Sequence, residues 1–241
     1  MWDTRLIAEQ ALAGLLQAEE DAVREQSPHG IDALDELGLH DPLARGLAAG
    51  GRAVLREVHY PSQTQSKRAG RKRAGKTERD RCDLVLLPEG AASLADPVEI
   101  LTDADERDAT LFAESKVEAI AGCEPSDAFW LEVKAIGQYA YVEGVPGPNR
   151  SYTSLWAGCL RDLKKLAADD LLAGAGVAIV HFAAERAIAE HDFTQFAHRC
   201  LDADVGIDTP QTAFGAIADR IGNTSVAVAL FSLRQSERWR P

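Results

Sequence analysis

The four cysteines of this 241-residue chain, Cys82, Cys123, Cys159 and Cys200, form no CxxC and no Cys/His pair. That spacing argues against a structural zinc site and offers no secreted disulfide framework, so small buried thiols in a reducing compartment are expected. Long hydrophobic runs are also missing. The longest, Leu171 to Ala184, contains several glycines and His181 and is too short to span a bilayer. The first residues, MWDTRLIAEQ, contain acids and no apolar core, unlike a signal peptide. A cytoplasmic protein with no membrane partner is the expectation. No internal repeat or low-complexity tract stands out, and Gly174-Ala175-Gly176 lacks a phosphate-loop pattern around it. Excess positive charge is absent as well, the formal net charge being −12, which at first sight disfavours a nucleic-acid partner. The average conceals a division, however. Lys67 to Arg81 concentrates eight basic residues, and Asp96 to Glu124 is strongly acidic.

What is present is an ordinary globular composition, 46% hydrophobic and 27% charged, in a length suited to one well-packed domain. Residues 3–25 carry a helical pattern through Leu6, Ile7, Leu12, Leu15, Leu16 and Val23, ended by SPHG at 27–30. A second helical stretch covers about 32–49, with an interruption expected at Asp41-Pro42. AVLREVHYP, 53–61, and CDLVLLP, 82–88, read as strands separated by a basic loop at 62–79. An acidic insertion with a helix near 105–121 follows, then the strand FWLEVKAIGQY, 129–139, and a turn or loop in YVEGVPGPNRSY. SLWAGCLRDLKKLAADD, 154–170, is the clearest amphipathic helix. GVAIVHF at 176–182 and SVAVALFSL at 225–233 are apolar strands, and 192–202 and 210–221 look helical. This order implies an α/β sandwich with a mixed sheet. One domain spans 1–241: a helical extension at 1–30, a core at 36–182, an insertion at 89–128, and C-terminal helices and a strand at 183–241.

Trp130, Glu132, Lys134 and Ile136 share one face of the third strand, since side chains alternate. Glu and Lys are seldom placed in such an apolar setting unless paired or coordinating something. Asp83 opens the preceding apolar strand, so neighbouring strands would bring two carboxylates and a lysine to one end of the sheet. Hard divalent cations such as magnesium take one or two carboxylates and fill the remaining positions with water and phosphate oxygens. A lysine beside them stabilises charge on a reacting phosphodiester or helps activate water. As isolated signals these residues have ordinary readings: Glu-x-Lys as a solvated pair, Asp83 and Asp41 as caps, His181 as a core histidine, Lys164 and Lys165 as a solvated helix face.

Asp83 in RDRCDLVLL and Glu132-Val133-Lys134 in FWLEVKAIGQY, in a helix, three strands, helix, strand order, resemble the PD-(D/E)xK nuclease superfamily over roughly residues 36 to 182. The resemblance implies a restriction-endonuclease-like fold with an insertion between the second and third core strands. It also implies Mg2+, with Mn2+ as substitute, held by Asp83, Glu132 and the Val133 carbonyl, and Lys134 as the catalytic lysine. Many members add an acid from the first core helix, here Asp41 in preference to Glu36. Relatives of the recombination nucleases add a glutamine, matched by Gln138, and a polar residue on the next helix, for which Tyr152, Lys164 or Lys165 are candidates. Two departures stand out: Cys82 replaces the proline before Asp83, and the gap from Asp83 to Glu132 is unusually long. The expected activity is metal-dependent hydrolysis of DNA to 5′-phosphate ends. Arg71, Lys72, Arg73 and Lys76 with Lys164 and Lys165 would hold the backbone, and steep salt dependence would follow. Cutting two strands would suit a homodimer. The rivals are a catalytically inactive scaffold whose acidic insertion binds a protein partner and, more weakly, an RNA-directed or nucleotide-level phosphodiesterase.

Overall fold

The computed structural model describes residues 2–62, 81–95 and 122–234. Helix α1 (Thr4–Arg24) begins at Asp3, whose carboxylate accepts from the Leu6 amide at 3.0 Å and satisfies one of the open donors of the first turn. Ile7, Ala8, Ala11, Leu12 and Leu15 form its buried stripe. A short 3-10 turn at Ile31–Ala33 leads to α2 (Glu36–Ala48), capped by Asp35, which accepts from the Gly38 amide at 2.7 Å. The expected break at Asp41-Pro42 does not occur. Pro42 lies inside the helix, and Leu39, Leu43 and Leu47 bury one continuous stripe across it.

Helices α1 and α2 cross backbone to backbone at two glycines. A Cβ on Gly14 would lie 2.1 Å from the Pro42 carbonyl oxygen, and one on Gly46 2.2 Å from the Gln10 carbonyl oxygen. Neither obstacle is a side chain that can rotate away, so an added methyl must push the helices apart. Gly14→Ala or Gly46→Ala is therefore expected to lower unfolding free energy by about 1–3 kcal/mol, the usual cost of overpacking. A urea midpoint equal to wild type for both variants would contradict this close crossing. The crossing matters for the site because α2 carries Glu36 and His40.

The strands follow as β1 (Val54–His59), β2 (Arg81–Leu86) and β3 (Phe129–Gly137), then a small hairpin of β4 (Tyr139–Val142) and β5 (Val145–Pro148). Glu143 and Gly144, both at positive φ (54° and 83°), make its two-residue turn. Helix α3 (Tyr152–Ala167), β6 (Gly174–Ala183), α4 (Arg186–Asp202), β7 (Gln211–Ala216) and β8 (Ser225–Ser232) complete the order. Among the described residues six strands form one mixed sheet, β1-β2-β3-β6-β8-β7, in which only β3 and β6 run parallel. The protein is thus α/β, with helices on both faces. Trp130, Ile136, Val177, Ile179 and Phe231 pack against Trp156, Leu163, Phe193 and Phe196 of α3 and α4. Leu131, Val133, Val180, Val228 and Leu230 pack against α1 and α2. Burial on both faces explains why β6 and β8 read as continuous apolar runs.

The helix expected at 210–221 is instead strand β7, paired with β8 from Gln211↔Leu230 to Ala216↔Ser225. Its small residues carry little strand propensity of their own, and the neighbouring strand decides the outcome. Gly215 is part of that fit, since a Cβ there would meet Leu16 of α1 at 2.7 Å. The basic stretch from Lys67 to Asp80, most of the acidic insertion and its helix near 105–121 lie outside the described residues. Among the described residues no helix is long and apolar enough to cross a membrane.

Candidate functional site

Strands β2 and β3 pair only through Leu84–Leu86 and Phe129–Leu131, after which they part. Asp83 is the next residue on one strand and Glu132 the next on the other. Continuing the antiparallel register sets them opposite each other, and their side chains interact through charge and a hydrogen bond. Asp83 bridges the opening, its Oδ2 accepting from the Val133 amide at 2.7 Å. A side chain thereby takes the place of a missing strand carbonyl. The Val133 group engaged in the site is its amide.

Both carboxylates are largely withdrawn from water, with side-chain exposures of 15% for Asp83 and 5% for Glu132. Burial first, then the Glu132 charge and a hydrogen bond with it, push the Asp83 carboxyl up to about 8, while the Val133 amide works the other way. Glu132 is held from its far side. The Tyr60 hydroxyl donates to its Oε1, and Lys165 Nζ lies 2.9 Å from the same oxygen. Lys165 also sits over the Tyr60 ring, 4.5 Å from its centroid. Burial and the neighbouring Cys82 and Glu132 raise the Tyr60 hydroxyl well above its ordinary value, so it remains a proton donor.

Lys134 spans two helices, with Nζ 2.7 Å from Glu36 Oε1 at the start of α2 and 3.1 Å from Asp162 Oδ2 of α3. Burial opposes its charge, but these two carboxylates outweigh it and raise its pKa, so it stays ionised. On the other side of Asp83, His40 of α2 lies with Nε2 3.7 Å from Asp83 Oδ1 and Nδ1 3.6 Å from Glu57 Oε1. One donor atom from each of His40, Glu57 and Asp83 falls within 4.8 Å of the others. His40 is 2% exposed, and burial lowers its pKa against the pull of Glu57.

Asp83, Glu132, Lys134 and Lys165 therefore meet at one end of the sheet, but other sequence candidates do not join them. Asp41 is displaced to the surface. Its side chain is 63% exposed and pairs with Arg45 and Arg56, because the cap of α2 falls at Asp35 and turns Asp41 outward. The acid that α2 brings to the motif lysine is Glu36. Gln138 spends its side-chain oxygen on the Ala184 amide at 3.0 Å, fastening the end of β3 to the turn after β6. Tyr152 belongs to a separate buried cluster, its hydroxyl meeting His181 Nε2 at 2.7 Å and donating to Asp192. That cluster also accounts for the buried histidine in β6. Lys164 is exposed, whereas Lys165, one position on, turns inward to Glu132. Arg71, Lys72, Arg73 and Lys76 lie outside the described residues.

His40, Glu57, Tyr60 and Asp162 were not expected at the site. Two of them had a helical signal: His40 stands four residues after Glu36, and Asp162 three before Lys165, spacings that share a helix face. Glu57 had none, since its direction depends on a left-handed φ of 54° inside a strand. Compared with family models, curated proteins and solved structures, the chain matches none.

Proposed function

We propose that the chain is a metal-dependent hydrolase of phosphodiester bonds in DNA, built on a restriction-endonuclease-like core. The observation that carries this reading is the opposition of the Asp83 and Glu132 carboxylates where β2 and β3 part, with Lys134 two residues beyond Glu132. The order α2, β1, β2, β3, α3, β6, with β3 and β6 parallel, supports it. The donor set suits Mg2+ or Mn2+: two adjacent buried carboxylates, one of them retaining a proton well above the usual carboxylate range, form an anionic site that a dication relieves. A divalent ion held by Asp83 and Glu132 would supply charge neutralisation for the phosphate and acidify water.

The protein's own groups do the rest. The Val133 amide fixes the orientation of Asp83. Glu36 and Asp162 hold Lys134 charged and in place, where it can offset negative charge growing on a phosphate. Lys165 neutralises Glu132 in the absence of a dication and is positioned to turn toward a phosphate when one arrives. The exposed Lys164 beside it, with Arg71, Lys72, Arg73 and Lys76 in the basic stretch, supplies charge for the DNA backbone.

One observation favours a second reading, a catalytically inactive scaffold. Glu132 is only 4% exposed and already closed in by Tyr60 and Lys165. Incubating the purified chain with single- and double-stranded DNA in Mg2+, Mn2+ or EDTA separates the two. Cleavage to 5′-phosphate ends that needs the metal and declines steeply with salt is expected. Intact DNA under every metal condition, from protein that is folded and binds DNA, would leave the scaffold reading standing.

A further inference from the structure

We propose that His40, Glu57 and Asp83 form a second cation position, suited to a first-row divalent metal such as Mn2+ or Zn2+. It adjoins the proposed hydrolytic site through Asp83 but is inferred from binding chemistry alone. The first observation is the state of His40. The residue is 2% exposed, yet neither Nδ1 nor Nε2 has a hydrogen-bond partner among the described residues. Buried polar atoms are nearly always satisfied, and leaving both nitrogens of an imidazole empty is costly unless something else engages them.

The second observation is what those nitrogens face. The carboxylates of Glu57 and Asp83 stand 3.6 and 3.7 Å away, beyond hydrogen-bonding distance. A single ion takes one of the two ring nitrogens. The one donor atom it needs from each of the three side chains already lies within 4.8 Å of the others. That is somewhat wider than the roughly 3–3.6 Å between neighbouring donors around a zinc ion, so modest side-chain rotation would close them onto it. The three side chains come from three different elements, α2, β1 and β2, and converge on one point. Glu57 reaches it with φ at 54°, directly across the β1–β2 register from Asp83. Conformations of this kind persist in non-glycine residues where the surroundings require them.

The donor set then fixes the class of ion. Two carboxylates balance a dication, and one imidazole nitrogen shifts preference from Mg2+ toward the first-row transition metals. Aqueous Mg2+ gives up its waters reluctantly and gains little from a single nitrogen. Mn2+ is also the natural probe, because its EPR signal reports binding without any enzymatic turnover.

The test is a Mn2+ titration of the EDTA-stripped full chain by EPR, comparing wild type with His40→Gln, Glu57→Gln and Glu132→Gln. Wild type should bind Mn2+ with a nitrogen hyperfine coupling in pulsed EPR that His40→Gln abolishes. Glu57→Gln, a half-exposed and nearly isosteric change, should weaken this binding by about tenfold or more without altering the circular dichroism spectrum. It also protects the test should His40→Gln fail to fold. Glu132→Gln should leave the nitrogen-coupled site in place. Absence of nitrogen coupling in wild type, or binding indifferent to Glu57→Gln, overturns the proposal. Binding lost only in Glu132→Gln also overturns it and leaves the hydrolytic reading intact. Nitrogen-coupled Mn2+ binding in a protein that cleaves no DNA supports this position and counts against the hydrolase instead.

Discussion

Glu132→Gln is expected to reduce metal-dependent DNA cleavage by about a thousandfold or more, roughly 4 kcal/mol of lost transition-state stabilisation, while leaving the protein folded. The substitution removes one negative charge and little else. Glutamine keeps an oxygen that can accept from Tyr60 and from Lys165, the two groups that hold Glu132 Oε1. Lys134→Met is expected to fall by a similar factor for a different reason. It leaves a β3 of the same length but deprives Glu36 and Asp162 of the cation lying between them. The two variants should therefore separate in stability although they coincide in rate. Glu132→Gln should unfold near the wild-type urea midpoint, and Lys134→Met below it, because two partly buried acids lose their shared partner. Initial rates on a labelled duplex, measured beside urea melts, check both. Wild-type rates for either variant would place the chemistry elsewhere on the molecule.

The central constellation was legible because strands have a period of two and their register carries over. Glu132 and Lys134 had to share a face, and Asp83 would join them if the apolar strand it opens lay beside theirs. The long insertion between Leu86 and Phe129 conceals that β2 and β3 are neighbours, yet their pairing from Leu84 to Leu86 needs nothing from it. Helical phase was harder to read. Moving the start of α2 to Asp35 exchanges Asp41 for Glu36 as the acid that meets Lys134, and the sequence offers both an Asp-x-x-Gly start and an Asp-Pro start. The same applies to Lys164 and Lys165, adjacent in sequence but about 100° apart around α3. With Trp156, Cys159, Leu163 and Leu166 buried, Lys165 falls on the flank of the core and Lys164 faces water. Glu57 was out of reach for another reason. Its left-handed backbone turns the side chain toward His40, and no local pattern announces a left-handed glutamate within VLREVH.

Asp83→Asn is expected to make the metal-free protein more stable at pH 8, by about 2–4 kcal/mol, the linkage between proton retention and folding reduced for partial solvent access. The direction follows from the proton. In the folded chain the Asp83 carboxyl is raised to about 8, whereas unfolded it returns to an ordinary value near 4. Between those values the folded state holds a proton that the unfolded state has released. Stability contributed by that retained proton is therefore complete below about pH 4 and declines steadily as pH rises toward 8. Asparagine imitates the protonated acid at every pH, its oxygen accepting from the Val133 amide and its amide nitrogen facing Glu132. Urea midpoints in EDTA should therefore coincide for the two proteins near pH 4 and diverge as pH rises. Adding Mg2+ or Mn2+ at pH 8 should close the difference by stabilising wild type alone, in proportion to ligand concentration over its dissociation constant. Equal midpoints at pH 8 in EDTA would mean that burial and the Glu132 charge do not raise the Asp83 carboxyl. Divergence that metal leaves unchanged would mean that the strain exists but no dication relieves it. The expected pattern, a residue that weakens the empty protein and is relieved by an ion, is what distinguishes a binding site from a structural pair of acids.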